Sequence, residues 1–334
     1  MLGFAPYWLI DQLSPADYAD TSILSWYGLS LSGSGAPIES GPAWTALGGP
    51  SFAQFRTRAA AAHDRVLLSV ATADPAVIAP LLATPTASAT RLAAALSPLI
   101  TADGFSGVDV DVEGRSGAQR AAFLRFCRVL GARLRSAHPG LELVLDTFPQ
   151  SAGETHGFFD VPALAPLFSQ LFVMGYDMYD PAVASANAPL LSPTLGFSDT
   201  QALVDYGKVV DPAKLILGEP FYGYRFRTAS TAPHARVLSA DPVAEDYAQI
   251  VAARRRALWD PGSLTPYTVE VAGGQRAETW FDDPVSLALK TALALRAHWA
   301  GVGVWALGAE GDAPAMLAAL DGSGPPIKLG PGGA

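Results

Sequence analysis

The amino-acid sequence predicts an α/β fold, a (β/α)8 barrel of the TIM type with a small subdomain inserted between strands 7 and 8. Three observations carry that prediction. Eight short β-branched or apolar runs alternate with longer alanine-rich segments of helical period, the pattern of repeated βα units on a parallel sheet. The 334 residues are 50% hydrophobic and only 16% charged, which supplies a large core and excludes disorder as a description of the whole chain. One connection, from Phe221 to Asp283, far exceeds the about 2 to 6 residues usual for a βα loop and contains strand-like pieces of its own.

The eight runs are, in order, Leu2–Tyr7, Ser22–Leu29, Arg65–Ala71, Gly107–Glu113, Leu141–Phe148, Leu171–Asp177, Lys214–Gly218 and Gly301–Leu307. Helices fall between them. The clearest is Ala118–Ala137, where Phe123, Leu124, Cys127, Leu130 and Leu134 recur at 3.6-type spacing. Another, Pro284–Ala300, is opened by Asp283 as an N-cap. The insertion is placed at about 225–283, around Tyr267–Val271, the turn Gly273-Gly274 and Glu278–Phe281. The barrel then covers 1–320, and the Gly/Pro-rich stretch 321–334 reads as a tail or linker stub.

Charge and composition narrow the partners. Lys and Arg number 22 against 31 Asp and Glu, a net charge of −9 with no basic run, which argues against nucleic acid. No uninterrupted apolar stretch approaches the ~18 residues of a spanning helix, so no membrane partner is predicted. Cys127 is the only cysteine, which excludes an internal disulfide and any cysteine-built zinc cluster; it reads as a core filler. His63, His138, His156, His234 and His298 have no ligand spacing, and neither a metal nor another cofactor is expected. The first basic residue is Arg56, so the residues shown carry no positively charged leader.

The fourth run carries the chemistry. In Phe105-Ser-Gly-Val-Asp-Val-Asp-Val-Glu113, Asp109, Asp111 and Glu113 alternate with Val108, Val110 and Val112. Side chains of a strand point alternately to its two faces, so the acids share one face and the valines the other. In a barrel the valines meet the helices and the acids climb inward toward the C-terminal rim. Like charges held out of water raise carboxyl pKa values, and at least one proton stays on the group near neutral pH, as a general acid requires. A magnesium or calcium site built from the same oxygens is the rival reading of this spacing.

Ser106-Gly-Val-Asp-Val-Asp-Val-Glu113 resembles the Asp-Gly-x-Asp-x-Asp-x-Glu signature of glycoside hydrolase family 18, the chitinase family, with Ser106 in place of the first Asp. Further matches follow in order. Val173-Met-Gly-Tyr-Asp177 resembles the motif of the family's sixth strand, Lys214–Tyr224 the seventh, and Gly301-Val-Gly-Val-Trp-Ala-Leu-Gly308 the eighth. Trp280–Lys290 together with that last strand is most similar to the bacterial branch of cell-wall and spore-cortex N-acetylglucosaminidases. The third-strand motif Ser-x-Gly-Gly appears as Ser69-Val-Ala-Thr72, which retains the serine and loses both glycines.

The resemblance implies a retaining, substrate-assisted glycosidase acting on β-1,4 bonds of chitin-type oligomers or peptidoglycan. It implies Glu113 as acid and then base, Asp111 as the partner of the 2-acetamido N–H, and Asp109 sharing a proton with Asp111. Tyr176 would donate to the acetamido oxygen, Asp177 would orient the sugar, and Trp305 would lie beneath its ring. Ser69 keeps the family's third-strand position among the substrate contacts. Tyr7 with Trp8, and Tyr222 with Tyr224, would add aromatic walls. The partner implied is an N-acetylglucosamine-containing glycan, the chain a monomer, and its place outside the cell or at the cell wall. The alternatives are a catalytically silent carbohydrate-binding barrel and a metal-dependent phosphodiester or sugar-phosphate enzyme.

Overall fold

The computed structural model describes residues 1–192, 196–238 and 242–322. In chain order the strands are β1 (Leu2–Pro6), β2 (Ile23–Ser30), β3 (Arg65–Thr72), β4 (Gly107–Val112), β5 (Glu142–Thr147), β6 (Gln170–Met174), β7 (Leu215–Pro220), β8 (Tyr222–Arg227), β9 (Val243–Asp246), β10 (Ala257–Asp260), β11 (Thr265–Ala272), β12 (Gln275–Trp280) and β13 (Gly301–Trp305). β1–β7 and β13 are parallel and close into a barrel in the order β1-β13-β7-β6-β5-β4-β3-β2. Each of the eight runs read from the sequence is a barrel strand.

The remaining five strands form an antiparallel sheet, β10-β11-β12-β8-β9. It begins at Tyr222, ahead of the expected boundary at 225, because the chain enters a ladder directly on leaving the barrel: Tyr222 pairs with Asp246 and Tyr224 with Trp280. A separate small core holds this sheet to the connection after β6, with Ala184, Ala186, Phe226, Tyr267 and Trp280 buried together. Tyr267 and Trp280 stack at 4.5 Å between ring centroids. The last twelve residues of the Gly/Pro-rich tail, 323–334, lie outside the described residues.

Inside the barrel, the Phe172 ring meets the edge of Phe4 at 4.9 Å. That ring dictates two glycines, since a Cβ at Gly218 or Gly303 would come within 2.3 or 2.7 Å of it. The helix after β4 runs Arg120–Ala137 behind a short 3-10 turn. It buries Phe123, Phe126, Cys127, Leu130 and Leu134. Leu124, expected on that face, is only half-buried, because Phe126 fills the stripe beside Cys127. Asp283 caps the helix Pro284–Arg296 by accepting from the backbone N–H groups of Val285 and Ser286 at 3.0 and 2.9 Å. No helix among the described residues is long and apolar enough to cross a membrane.

The helix Pro284–Arg296 is pinned to the barrel by charge. Lys290 Nζ lies 2.8 Å from Asp282, 3.1 Å from Glu219 and 3.5 Å from Asp199, and all four side chains are fully buried. These residues come from four places: the helix itself, its entry, β7 and the start of the helix Asp199–Gly207. Burial outweighs the cation and raises Asp199 to about 7 and Glu219 well above its ordinary value. Replacing Lys290 by Met leaves three carboxyls buried without a counterion, a mechanism that costs about 3–5 kcal/mol. Raised carboxyl pKa values favour the folded state below the unfolded value near 4 and lose that contribution as pH climbs through the folded values. Lys290→Met is therefore predicted to lower urea-unfolding stability more at pH 8 than at pH 5; an equal loss at both would contradict the cluster's charge role.

Candidate active site

β4 builds the centre of the site. Val108, Val110 and Val112 are fully buried in the main core, leaving the acids on the inner face. Exposure rises along that face: Asp109 is 0% exposed and Asp111 6%, whereas the Glu113 side chain is 28% exposed. Asp109 stands level with Ser69 on β3 and Val144 on β5. Ser25 Oγ donates to Asp109 Oδ2 at 3.2 Å. The Asp146 carboxyl, from β5, forms a hydrogen bond with Asp109.

Two carboxyls can share such a bond only if one keeps its proton. Asp109 Oδ1, Asp111 Oδ1 and Asp146 Oδ1 are all buried with no N–H or hydroxyl donor. Desolvation accordingly raises Asp109 to about 7 against the hydrogen bonds it accepts, and holds Asp111 and Asp146 well above the usual carboxylate range, where the neighbouring negative charges add to the effect. A hydrogen bond from Tyr27 opposes the rise at Asp111. Glu113 is also raised, chiefly by desolvation and further by the charge of Asp177, while the positive Arg115 pulls it back. The group titrates as one coupled set.

Glu113 opens into a cavity of about 350 Å³ whose walls include Asp111, Asp146, Tyr27, Tyr176, Asp177, Tyr222 and Trp305. Trp305 ends β13 and packs edge-to-face with Tyr27, the ring centroids 4.6 Å apart at 84°. Tyr176 and Asp177 follow β6. Asp177 takes a left-handed backbone (φ 58°), a conformation that aspartate tolerates better than most residues. Its N–H donates to Asn187 Oδ1 at 2.8 Å, and Asn187 Nδ2 reaches back to the Tyr222 carbonyl at 3.3 Å. Tyr222 and Tyr224 both donate their hydroxyls to Asp177 Oδ1, the second at 2.9 Å. The inserted sheet thus contributes two tyrosines that hold one barrel carboxylate.

Asp111, Glu113, Tyr176, Asp177, Tyr222 and Trp305 therefore meet in one cavity. Asp109 lies beneath it. Ser69, read from the sequence as a substrate contact, is 0% exposed and sits beside Asp109, too deep to reach a sugar. Tyr224 acts at one remove, through Asp177. Tyr7 lines a neighbouring groove of about 480 Å³ with Trp8, and Tyr27 borders both spaces. The sequence reading missed Asp146, Tyr27 and Arg115. Asp146 left a signal, an acid closing the apolar run Leu143–Leu145 in the same alternation as Val144. Among the described residues no group of three or more His, Cys, Asp or Glu is arranged to hold a metal ion.

The class defined by this fold and site is a (β/α)8 barrel with a buried carboxyl ladder that ends in an aromatic cavity at the C-terminal rim, where such barrels hold their active sites. Residues 34–310 match the family described as Glycosyl hydrolases family 18, and the chain belongs to that family. It is 24% identical over 239 residues to human di-N-acetylchitobiase, covering 63% of this chain and 60% of that one. It is 24% identical over 240 residues to the putative sporulation-specific glycosylase YdhD of Bacillus subtilis, covering 69% of this chain and 53% of that one. The chain thus spans less than two thirds of either relative. Its fold matches the Group IV chitinase of Ostrinia furnacalis, solved with allosamidin, with a TM-score of 0.81 at 18% identity over 96% of this chain and 97% of that one.

With Glu113 as the proton donor, kcat/KM should fall on the alkaline side as that carboxyl ionises. Arg115 holds its pKa down from the value burial would set. Arg115→Gln is predicted to move the alkaline limb to higher pH, read from a pH profile on a neutral chitooligosaccharide. Movement to lower pH would contradict the assignment.

Proposed function

We propose that the protein is a retaining, substrate-assisted glycosidase that cleaves β-1,4 bonds next to N-acetylglucosamine units in chitin-type oligomers or peptidoglycan. The observation that carries this reading is the ladder Asp109–Asp111–Glu113, whose upper members Asp111 and Glu113 line one cavity with Tyr176 and Trp305. Family membership and the likeness to a chitobiase and a sporulation-specific glycosylase support the substrate class.

In this reading a sugar lies with its C–H face on Trp305, where an aromatic plane replaces water along the apolar side of the ring. Glu113 protonates the glycosidic oxygen and later takes a proton from the incoming water. The substrate's own 2-acetamido oxygen attacks the anomeric carbon, steadied by the Tyr176 hydroxyl, which burial and nearby carboxylates keep protonated. Asp111 accepts from the acetamido N–H and balances the positive charge of the cyclised intermediate. Asp109 and Asp146 hold a proton between them underneath, so the negative charge at Asp111 adjusts as Glu113 gives up and regains its own.

Glu113→Gln keeps the shape of the side chain and removes its usable proton. Its kcat on a chromogenic N-acetylglucosaminide oligomer should fall on the order of 10²-fold or more, with oligosaccharide affinity largely kept. Turnover within a few-fold of the parent would remove Glu113 from the acid role. Activity should survive dialysis against a strong chelator; loss that magnesium or calcium restores would favour a metal enzyme instead. A thiazoline mimic of the cyclised acetamido group should inhibit competitively, and deacetylated chains should be very poor substrates. Efficient cleavage of cellooligosaccharides would sink the substrate-assisted mechanism.

A further inference from the structure

Arg115 has no part in the chemistry above beyond its effect on Glu113, yet it stands at the mouth of the same cavity. Among the described residues that line the cavity it is the single cation, against Asp111, Glu113, Asp146 and Asp177. Its guanidinium lies over the Phe148 ring at 3.6 Å from the centroid. Its Nη2 is 3.9 Å from Glu113 Oε2, beyond hydrogen-bond reach. The side chain is 67% exposed. Stacking on an aromatic face fixes the plane of a guanidinium while leaving its edge free, and that edge is the fork that matches a carboxylate with two parallel N–H···O bonds.

The barrel order places this fork relative to the sugar. From β13, which carries Trp305, to β4, which carries Glu113, is four strands in either direction, so the two stand on opposite walls. A ring resting on Trp305 presents its scissile bond toward Glu113. Arg115, two residues past Glu113, and Phe148, just past β5, lie on that far wall, the side toward which a departing unit would extend. The other ionisable groups of the cavity wall are acids and tyrosines, so Arg115 is the place on it that attracts a negatively charged substituent. A neutral chain offers this fork nothing charged.

We propose that Arg115 is a specificity-determining residue that receives a carboxylate carried by the leaving sugar, so that the site prefers N-acetylhexosamine chains bearing an acidic ether, such as a lactyl group at O3, over neutral ones. The proposal rests on the glycosidase reading of this cavity.

The test compares two tetrasaccharides alternating N-acetylglucosamine and N-acetylmuramic acid, one with free lactyl carboxylates and one with those carboxylates methyl-esterified. For the parent enzyme, kcat/KM should favour the acid by about tenfold at low salt. The preference should shrink as ionic strength rises. It should vanish in Arg115→Gln and survive only partly in Arg115→Lys, which keeps the charge and loses the fork. Equal kcat/KM on acid and ester in the parent, or an Arg115→Gln change of the same factor on both, would overturn the proposal and leave Arg115 as a tuner of Glu113 alone. Calorimetric affinities for acid and ester in a Glu113→Gln background, with and without Arg115→Gln, separate this outcome from failure of the glycosidase reading. If the parent hydrolyses neither these chains nor neutral N-acetylglucosamine oligomers, that reading fails. The affinity ratio still judges Arg115: a ratio near one, or no binding of either chain, refutes it.

Discussion

Everything at this site depends on the cost of burying carboxylates. Asp109, Asp111 and Asp146 lie almost wholly out of water within the barrel, and among the described residues none of them forms an ion pair. Ionising all of them there is prohibitive. The barrel answers by holding protons and by supplying a few neutral donors, Ser25 to Asp109 and Tyr27 to Asp111. A carboxyl set of that kind is a proton store with one outlet, because exposure rises only at Glu113. The Val108–Val110–Val112 face belongs to the same solution. It packs the strand against the main core, while the acids face the barrel interior.

The same chain handles the same difficulty differently elsewhere. At Asp199, Glu219 and Asp282 the buried acids surround Lys290, and the cation converts a repulsive group into a clamp between β7 and the helix Pro284–Arg296. A fixed cation at that depth would be ruinous inside the ladder, since a permanent partner lowers a carboxyl's pKa and removes the proton an acid must give. Arg115 is the compromise. At 3.9 Å and largely solvated, it trims the pKa of Glu113 without pairing with it.

Much of this was legible in the sequence, for physical reasons. Barrel strands buried on both faces read as continuous apolar runs, and all eight stood out; an alternating acid–valine strand admits one inward face, which located Asp109, Asp111 and Glu113. What escaped depends on three-dimensional closure. Tyr27 and Asp146 are inward by the same alternation, but nothing in their own strands marks them as touching β4. Arg115 follows the strand on a short loop, where periodicity has no hold, and its position is fixed by the Phe148 ring. Ser69 erred the other way: its residue type fitted a contact, but its height on β3, level with Asp109, puts it below the cavity floor. The start of the insertion was displaced because Tyr222 and Tyr224 belong to its sheet and to the site at once.

That double membership bears on the choice between nucleophiles. Asp177, just past β6, is a cavity carboxylate outside Glu113's strand that could in principle attack the anomeric carbon and form a sugar ester. Its Oδ1 already accepts two tyrosine hydroxyls, from Tyr222 and Tyr224. Two hydroxyl bonds on one oxygen hold the side chain in a fixed orientation. The Asn187 bond to the Asp177 N–H fixes its left-handed backbone in the same arrangement. A carboxylate so held is suited to receiving hydrogen bonds from the substrate and to acting through its charge. In the proposed reading the attack falls to the sugar's own 2-acetamido oxygen, and the inserted sheet has a reason to lie against the barrel: it supplies the tyrosines that hold Asp177 in place.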